Sequence, residues 1–240
     1  MGNTRRATGA SRGSRIRKAA LALRKGGFVV LHDGEGRENE ADIIFLASCA
    51  APEKIRLLRR DAGGLICLAT DATSARRLRL PFATDLLLAS KHPVISKMCR
   101  GRMAYGDMPA FSISINHLST FTGITDIDRA KTIREFGRLV GRKGGSSEFA
   151  REFRAVGHVF LLVSRGLAKR RGHTELSIEL ARMAGAAPAV VLCEMLSDSG
   201  KAASRREAME YARKRGFPFI EGRDLAPCPK GGARAALGNR

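Results

Sequence analysis

The chain has no tryptophan and only two tyrosines, and aromatic residues fill 5% of its 240 positions. So few aromatics cannot build the stacking platforms that hold single-stranded nucleic acid. The five cysteines (Cys49, Cys67, Cys99, Cys193 and Cys228) are scattered and never spaced as CxxC. That excludes a zinc ribbon and fits reduced thiols better than disulfides. No apolar run reaches the ~18 residues of a membrane span, and the basic opening stretch lacks the apolar segment of a secretory signal. A soluble, cytoplasmic protein with no membrane partner is expected. Repeats, low-complexity linkers and the glycine-rich fingerprint of a dinucleotide site are also missing, which points to one domain without a nucleotide cofactor.

Acid is missing as well, at first. No Asp or Glu precedes Asp33, while Arg5, Arg6, Arg12, Arg15, Arg17 and Lys18 stand among Gly, Ser and Ala. This composition reads as a flexible tail, with domain boundaries expected at 1–13 for the tail, 14–223 for the folded domain and 224–240 for a second basic tail. The formal net charge of +20 would attract any polyanion, so nucleic acid is expected as a non-specific partner only.

Between the tails, apolar runs alternate with helical patterns. "GFVVLHD" and "ADIIFLASCA" read as strands flanking an acidic loop, followed by "LICLAT", "FSISINH", "HVFLLVS", "AVVLCEM" and "FPFI". In "FSISINH", Phe111, Ile113 and Ile115 are expected on one face and the serines on the other. Helices are predicted in "APEKIRLLRRDAGG", with Pro52 in its first turn, and in "TGITDIDRAKTIREFGRLVG", capped by Thr125 or Asp126. The latter places Ile127, Ala130, Ile133, Phe136 and Val140 at helical spacing. "HTELSIELARMAG" and "SRREAMEYARKRG" follow, the last with a capping box of Ser204 and Glu207. The stretch between residues 71 and 110 reads as irregular. The mixed order points to an α+β fold with a mixed sheet packed by helices.

The acidic loop "GRENEAD" sets Glu38, Glu40 and Asp42 behind Arg37. On an extended chain the three carboxylates share one side, where oxygen donors suit a hard ion such as Mg²⁺ or Mn²⁺. Taken alone, the loop reads more simply as a solvated hairpin balanced by Arg37. "KRRGHTE" places Arg170, Arg171, His173 and Thr174 at the start of a helix, where free N–H groups, the helix dipole and a guanidinium favour a phosphate. His173 offers nitrogen to a metal, and a plain helix cap is the alternative. His158 opens one strand and Glu194 ends another, both positions suited to proton transfer or to ordinary hydrogen bonding.

Taken together, "RENEAD" at 37–42, "DAGGLICLAT" at 61–70, "FTGITDIDRAKTI" at 121–133, "GHVFLLVSRGLAKRRGHTE" at 157–175 and "VLCEMLSDSG" at 191–200 resemble the 3,4-dihydroxy-2-butanone 4-phosphate synthase family, in its archaeal single-domain form. The resemblance runs from about Ser14 to Gly222. It implies a homodimer with active sites near the subunit interface, dependent on Mg²⁺ or Mn²⁺ with two ions per site. The implied reaction turns D-ribulose 5-phosphate into L-3,4-dihydroxy-2-butanone 4-phosphate and formate. By the family pattern Glu38 and His173 hold metal, and Arg37, Glu38 and Asp42 meet substrate or its metal shell. Arg170 and Thr174 match the phosphate-binding positions, His173 also meets substrate, and His158 and Glu194 form the essential acid–base pair. Asp33 and Glu35 belong to the loop that closes on substrate, and Thr122 is a further substrate-side candidate. Val156 stands where the family usually has proline before Gly-His, so a less rigid turn is expected there. Gly34 and Gly36 loosen the acidic loop.

Overall fold

The computed structural model describes residues 11–99, 101–103 and 106–225. Among these residues, seven strands form one mixed sheet in the order β4-β5-β3-β6-β2-β1-β7. They are β1 (Val29–His32), β2 (Ala41–Leu46), β3 (Cys67–Thr70), β4 (Phe111–His117), β5 (Phe153–Val163), β6 (Ala189–Glu194) and β7 (Phe219–Glu221). β1/β7 and β3/β5 are parallel, and the other neighbours are antiparallel. β2 is buried at every position because helices cover both faces of the sheet, which is why its sequence is an unbroken apolar run apart from Asp42.

On one face Ile43, Phe45, Leu68, Val159 and Val191 pack with residues of α2 (Pro52–Asp61), α6 (Asp126–Gly141) and α9 (Arg205–Arg215). On the other face Ile44, Cys67, Val190 and Leu192 pack with α1 (Arg12–Arg24) and α8 (His173–Met183). The ends of the long helices follow their sequence signals. Thr125 caps α6 by accepting from the Asp128 N–H at 3.1 Å, and Ser204 and Glu207 form the capping box of α9.

Several expectations are corrected. Helix α1 begins inside the stretch read as a flexible basic tail. Ser11 caps it, Ala19 and Leu23 are buried, and Arg15 pairs with Asp224 at 2.5 Å, so the helix is held by contacts that composition does not reveal. The tail segments 1–10 and 226–240 lie outside the described residues. The stretch expected to be irregular contains α3 (Ala72–Leu78), α4 (Ala83–Ala89) and α5 (Pro93–Met98), each too short to show a full amphipathic period. Likewise α7 (Ser146–Glu152) and α10 (Gly222–Leu225) carry no strong period.

In β4 the expectation holds in part: Ile115 is buried and Ile113 packs against the same core, but the other face is covered too. Ser112 and Ser114 are buried, while Phe111 is partly exposed and meets Phe160 edge to face. A hydroxyl can turn inward when it finds a hydrogen-bond partner: Ser112 donates to the Pro81 carbonyl at 2.5 Å, and Ser114 accepts from the Gly157 N–H at 3.2 Å. β5 starts five residues before His158, which therefore sits inside a strand. Val156, expected in a turn, belongs to the same strand and is 86% exposed. Ile127, placed on the apolar stripe of α6 by its spacing, is 68% exposed.

Candidate active site

The β1–β2 loop and the start of α8 meet over the end of β6. β1 delivers Asp33 to the loop, where its carboxylate accepts from the backbone N–H groups of Glu38 at 3.0 Å and Glu40 at 3.1 Å. Asn39 takes a left-handed conformation, φ 59°, so residues 38–40 are not extended as expected. Glu38, Glu40 and Asp42 nevertheless line one cavity of about 490 Å³, together with Arg170, His173, Thr174 and Glu194. A turn folded around Asp33 brings the carboxylates together, rather than strand alternation.

His173, the first residue of α8, is the hub. Its Nε2 lies 3.1 Å from the Glu40 carbonyl and 3.6 Å from Asp42 Oδ1. Its Nδ1 lies 3.4 Å from Glu38 Oε2. A carbonyl only accepts, so the Nε2–H donates to Glu40, and Nδ1 faces Glu38, carrying a proton in the charged ring and a lone pair for an ion once that proton leaves. That is how a histidine is oriented when a backbone carbonyl fixes its tautomer beside a metal. Asp33, Glu38 and His173 each place one ligand atom within 4.8 Å of the others. The buried Asp42 Oδ1 has no hydrogen-bond partner among the described residues. Two carboxylates, one available ring nitrogen and an unsatisfied carboxylate oxygen fit a hard divalent ion.

The electrostatics agree with that fit. Burial pushes the Asp42 carboxyl up to about 7, against the opposing charge of His173 and with added repulsion from Glu194, Glu38 and Asp33. Burial chiefly, then the charge of Glu38, also raises Glu40. Burial on its own would lower His173, but Asp42 first, then Glu38 and Asp33, outweigh it and raise the imidazole to about 10. Without a cation, the cluster keeps protons that a dication would replace.

Beside this cluster, Arg170 is nearly enclosed. It donates to Glu175 at 2.7 Å and lies 3.5 Å from both Glu38 and Asp107. A Cβ on Gly172 would fall 2.3 Å from the Arg170 guanidinium, so the N-cap of α8 must be glycine for the arginine to lie across the turn. Thr174 follows at the second helical position, its side chain facing the same cavity as the helix N-terminus. Arg37 pairs with Asp107. Glu35 is exposed and faces a separate cavity with His32, Arg205 and Glu221.

His158 and Thr122 are not among the residues lining the Glu38–Glu194 cavity. They meet at the β4–β5 edge through Asn116. The Asn116 Oδ1 accepts from the His158 backbone N–H at 2.9 Å, which turns its amide nitrogen toward His158 Nδ1 at 3.2 Å and the Thr122 carbonyl at 3.5 Å. Nδ1 is thus the acceptor and Nε2 carries the proton of the neutral ring. β3 separates the strands carrying His158 and Glu194, a backbone spacing of about 10 Å. Three arrangements here escaped sequence reading: Asp107 bridging two arginines, Glu175 beneath Arg170, and Asn116 holding His158. Asp107 is a single acid with no motif around it; Glu175 closes "KRRGHTE" and could have been found as the carboxylate nearest Arg170 in sequence; Asn116 could have been found as the one amide in a strand opposite a Gly-His pair.

Comparison with known proteins identifies the family. The family model of 3,4-dihydroxy-2-butanone 4-phosphate synthase matches residues 17–227. The chain is 45% identical over 212 residues to the 3,4-dihydroxy-2-butanone 4-phosphate synthase of Archaeoglobus fulgidus, covering 85% of this chain and 89% of that protein. It is 43% identical over 221 residues to that of Methanosarcina mazei, covering 88% and 89%. A 3,4-dihydroxy-2-butanone 4-phosphate synthase solved in complex with two magnesium ions superposes with a TM-score of 0.68 at 30% identity, covering 88% of this chain and 94% of that one. The chain belongs to the 3,4-dihydroxy-2-butanone 4-phosphate synthase family.

Proposed function

We propose that the chain converts D-ribulose 5-phosphate into L-3,4-dihydroxy-2-butanone 4-phosphate and formate, the four-carbon supply for riboflavin, in the cytoplasm. The observation that carries the reading is the convergence of Glu38, Asp42, Arg170, His173, Thr174 and Glu194 on one cavity. Arg170, Thr174 and the N–H groups that open α8 receive the phosphate, with Arg37 beside them. Glu38 and His173, joined by Asp33, hold Mg²⁺ or Mn²⁺, two ions when the site is full. The metal supplies a Lewis acid for the oxygens of an enediol. Glu194, at the end of β6 and paired across the sheet with Asp42, exchanges protons with substrate carbons or hydroxyls.

His158 is the other half of the acid–base pair, and we assign it to the cavity of a second copy in a homodimer. Around it Phe121 is 92% exposed, Val156 86% and Ile127 68%, an apolar surface of the kind that copies of a chain bury against each other. Asn116 then fixes the ring so that its Nε2–H points away from the strand, ready to donate.

The test is direct. With Mg²⁺, the purified chain should release one formate for each ribulose 5-phosphate consumed, and EDTA should stop it. NMR of the products separates this reaction from sugar-phosphate isomerisation or aldol cleavage, neither of which yields formate. Turnover without formate, or turnover that survives chelation, would reject the proposal.

A further inference from the structure

Arg37 and Arg170 come from different parts of the chain, the β1–β2 loop and the turn before α8, yet both face the carboxylate of Asp107. Two guanidinium groups closing on one anion is the arrangement expected around a phosphate. The anion in place is the protein's own. The backbone of Asp107 is pinned, its carbonyl accepting from the Met103 N–H at 2.8 Å. Its side chain is partly open to solvent, whereas that of Arg170 is almost completely enclosed. Release of the pair therefore requires rotation of an aspartate at the rim, without movement of the buried arginine.

We infer that Asp107 is an internal phosphate mimic, an inhibitory carboxylate that the phosphate of the substrate must displace from Arg37 and Arg170. The inference rests on the phosphate role given above to Arg170. A phosphate monoester carries nearly two charges where the aspartate carries one, and offers three oxygens where the aspartate offers two. The dianion wins the exchange, and singly charged anions are turned away. Asp107 thus sets both the affinity of the site and its preference for phosphate monoesters. Meanwhile its charge offsets those of Arg37 and Arg170, next to a site that must attract a metal.

The test uses inorganic phosphate as the probe, titrated calorimetrically into the Mg²⁺-loaded full chain. Asp107→Asn keeps the shape and removes the charge, so phosphate should bind about tenfold more tightly, the equivalent of ~1.4 kcal/mol. The KM for ribulose 5-phosphate should fall with it. Asp107→Glu keeps the charge and should keep phosphate binding weak. If circular dichroism shows Asp107→Asn misfolded, Asp107→Ser gives the same comparison. Phosphate binding that is unchanged or weaker in the neutral variant overturns the inference, since a residue that merely positions the arginines would loosen the site when removed. Formate release by the unaltered chain is scored separately. Its absence would remove the reaction but leave the phosphate comparison standing.

Discussion

His173 Nδ1 lies 3.4 Å from Glu38 Oε2, so the opening residue of one helix and the middle of a distant loop share one point in space. If that point holds the ion, Glu38→Gln and His173→Gln should each weaken Mn²⁺ binding by about 100-fold or more. Calorimetric titration with Mn²⁺ measures this, and formate release should fall in parallel. Wild-type Mn²⁺ affinity in either variant would remove the residue from the ligand set.

Metal binding should be linked to pH. His173 is raised to about 10 by Asp42, Glu38 and Asp33 acting against burial, so at pH 8 an arriving dication must expel its proton. Titration in buffers of different ionisation enthalpy should show release of about one proton per site. The sign for stability follows from the same shift. The folded value lies above the ordinary 6.5, so the contribution is complete below about 6.5 and is lost as pH rises through about 10. The metal-free protein should therefore melt at lower temperature at pH 10 than at pH 7, and Mg²⁺ should narrow the difference. A melting temperature that rises over this interval would contradict the cluster.

Glu194→Gln and His158→Gln should each lower kcat by roughly 10²- to 10⁴-fold while leaving Mn²⁺ binding intact. Mixing the two inactive variants is more informative. If His158 serves the partner's cavity, half of randomly formed dimers are mixed and each has one intact site, so activity should return to about one quarter of wild type. If both residues serve their own chain's cavity, no site is whole and no activity returns.

Gly157 tests the support of His158. A Cβ there would lie 2.0 Å from the Ile115 carbonyl carbon, a backbone contact that no side-chain rotation relieves. Gly157→Ala should cost about 1–3 kcal/mol, which lowers Tm by roughly 2–4 °C per kcal/mol for a domain of this size. It should also reduce kcat through displacement of Asn116.

Much of this architecture could be read from residues alone. The unbroken apolar runs of β2, β3 and β6 announced buried strands, and Thr125 and the Ser204–Glu207 pair marked helix starts where the structure has them. The polar motifs named the residues of the cavity, because a metal and a phosphate need donor groups that ordinary packing does not. Illegible features depend on distant partners. Helix α1 looks like a solvated tail until Asp224 and the core residues against Ala19 and Leu23 are in place. The buried serines of β4 mislead because their hydrogen-bond partners, the Pro81 carbonyl and the Gly157 N–H, come from elsewhere in the chain. Asp107 has no pattern around it, and only the two arginines reveal its role. His158 and Thr122 were placed with the other site residues by resemblance, and a single chain holds them at its edge instead.

Asp42 is an ionisable side chain in a strand otherwise apolar on both faces, and one of its oxygens has no hydrogen-bond partner among the described residues. Desolvating it weakens the unoccupied protein, and whatever satisfies that oxygen relieves the penalty. Heat resistance is therefore a gauge of occupancy: compounds that engage the cavity can be ranked by how far they delay unfolding, before any assay of chemistry exists.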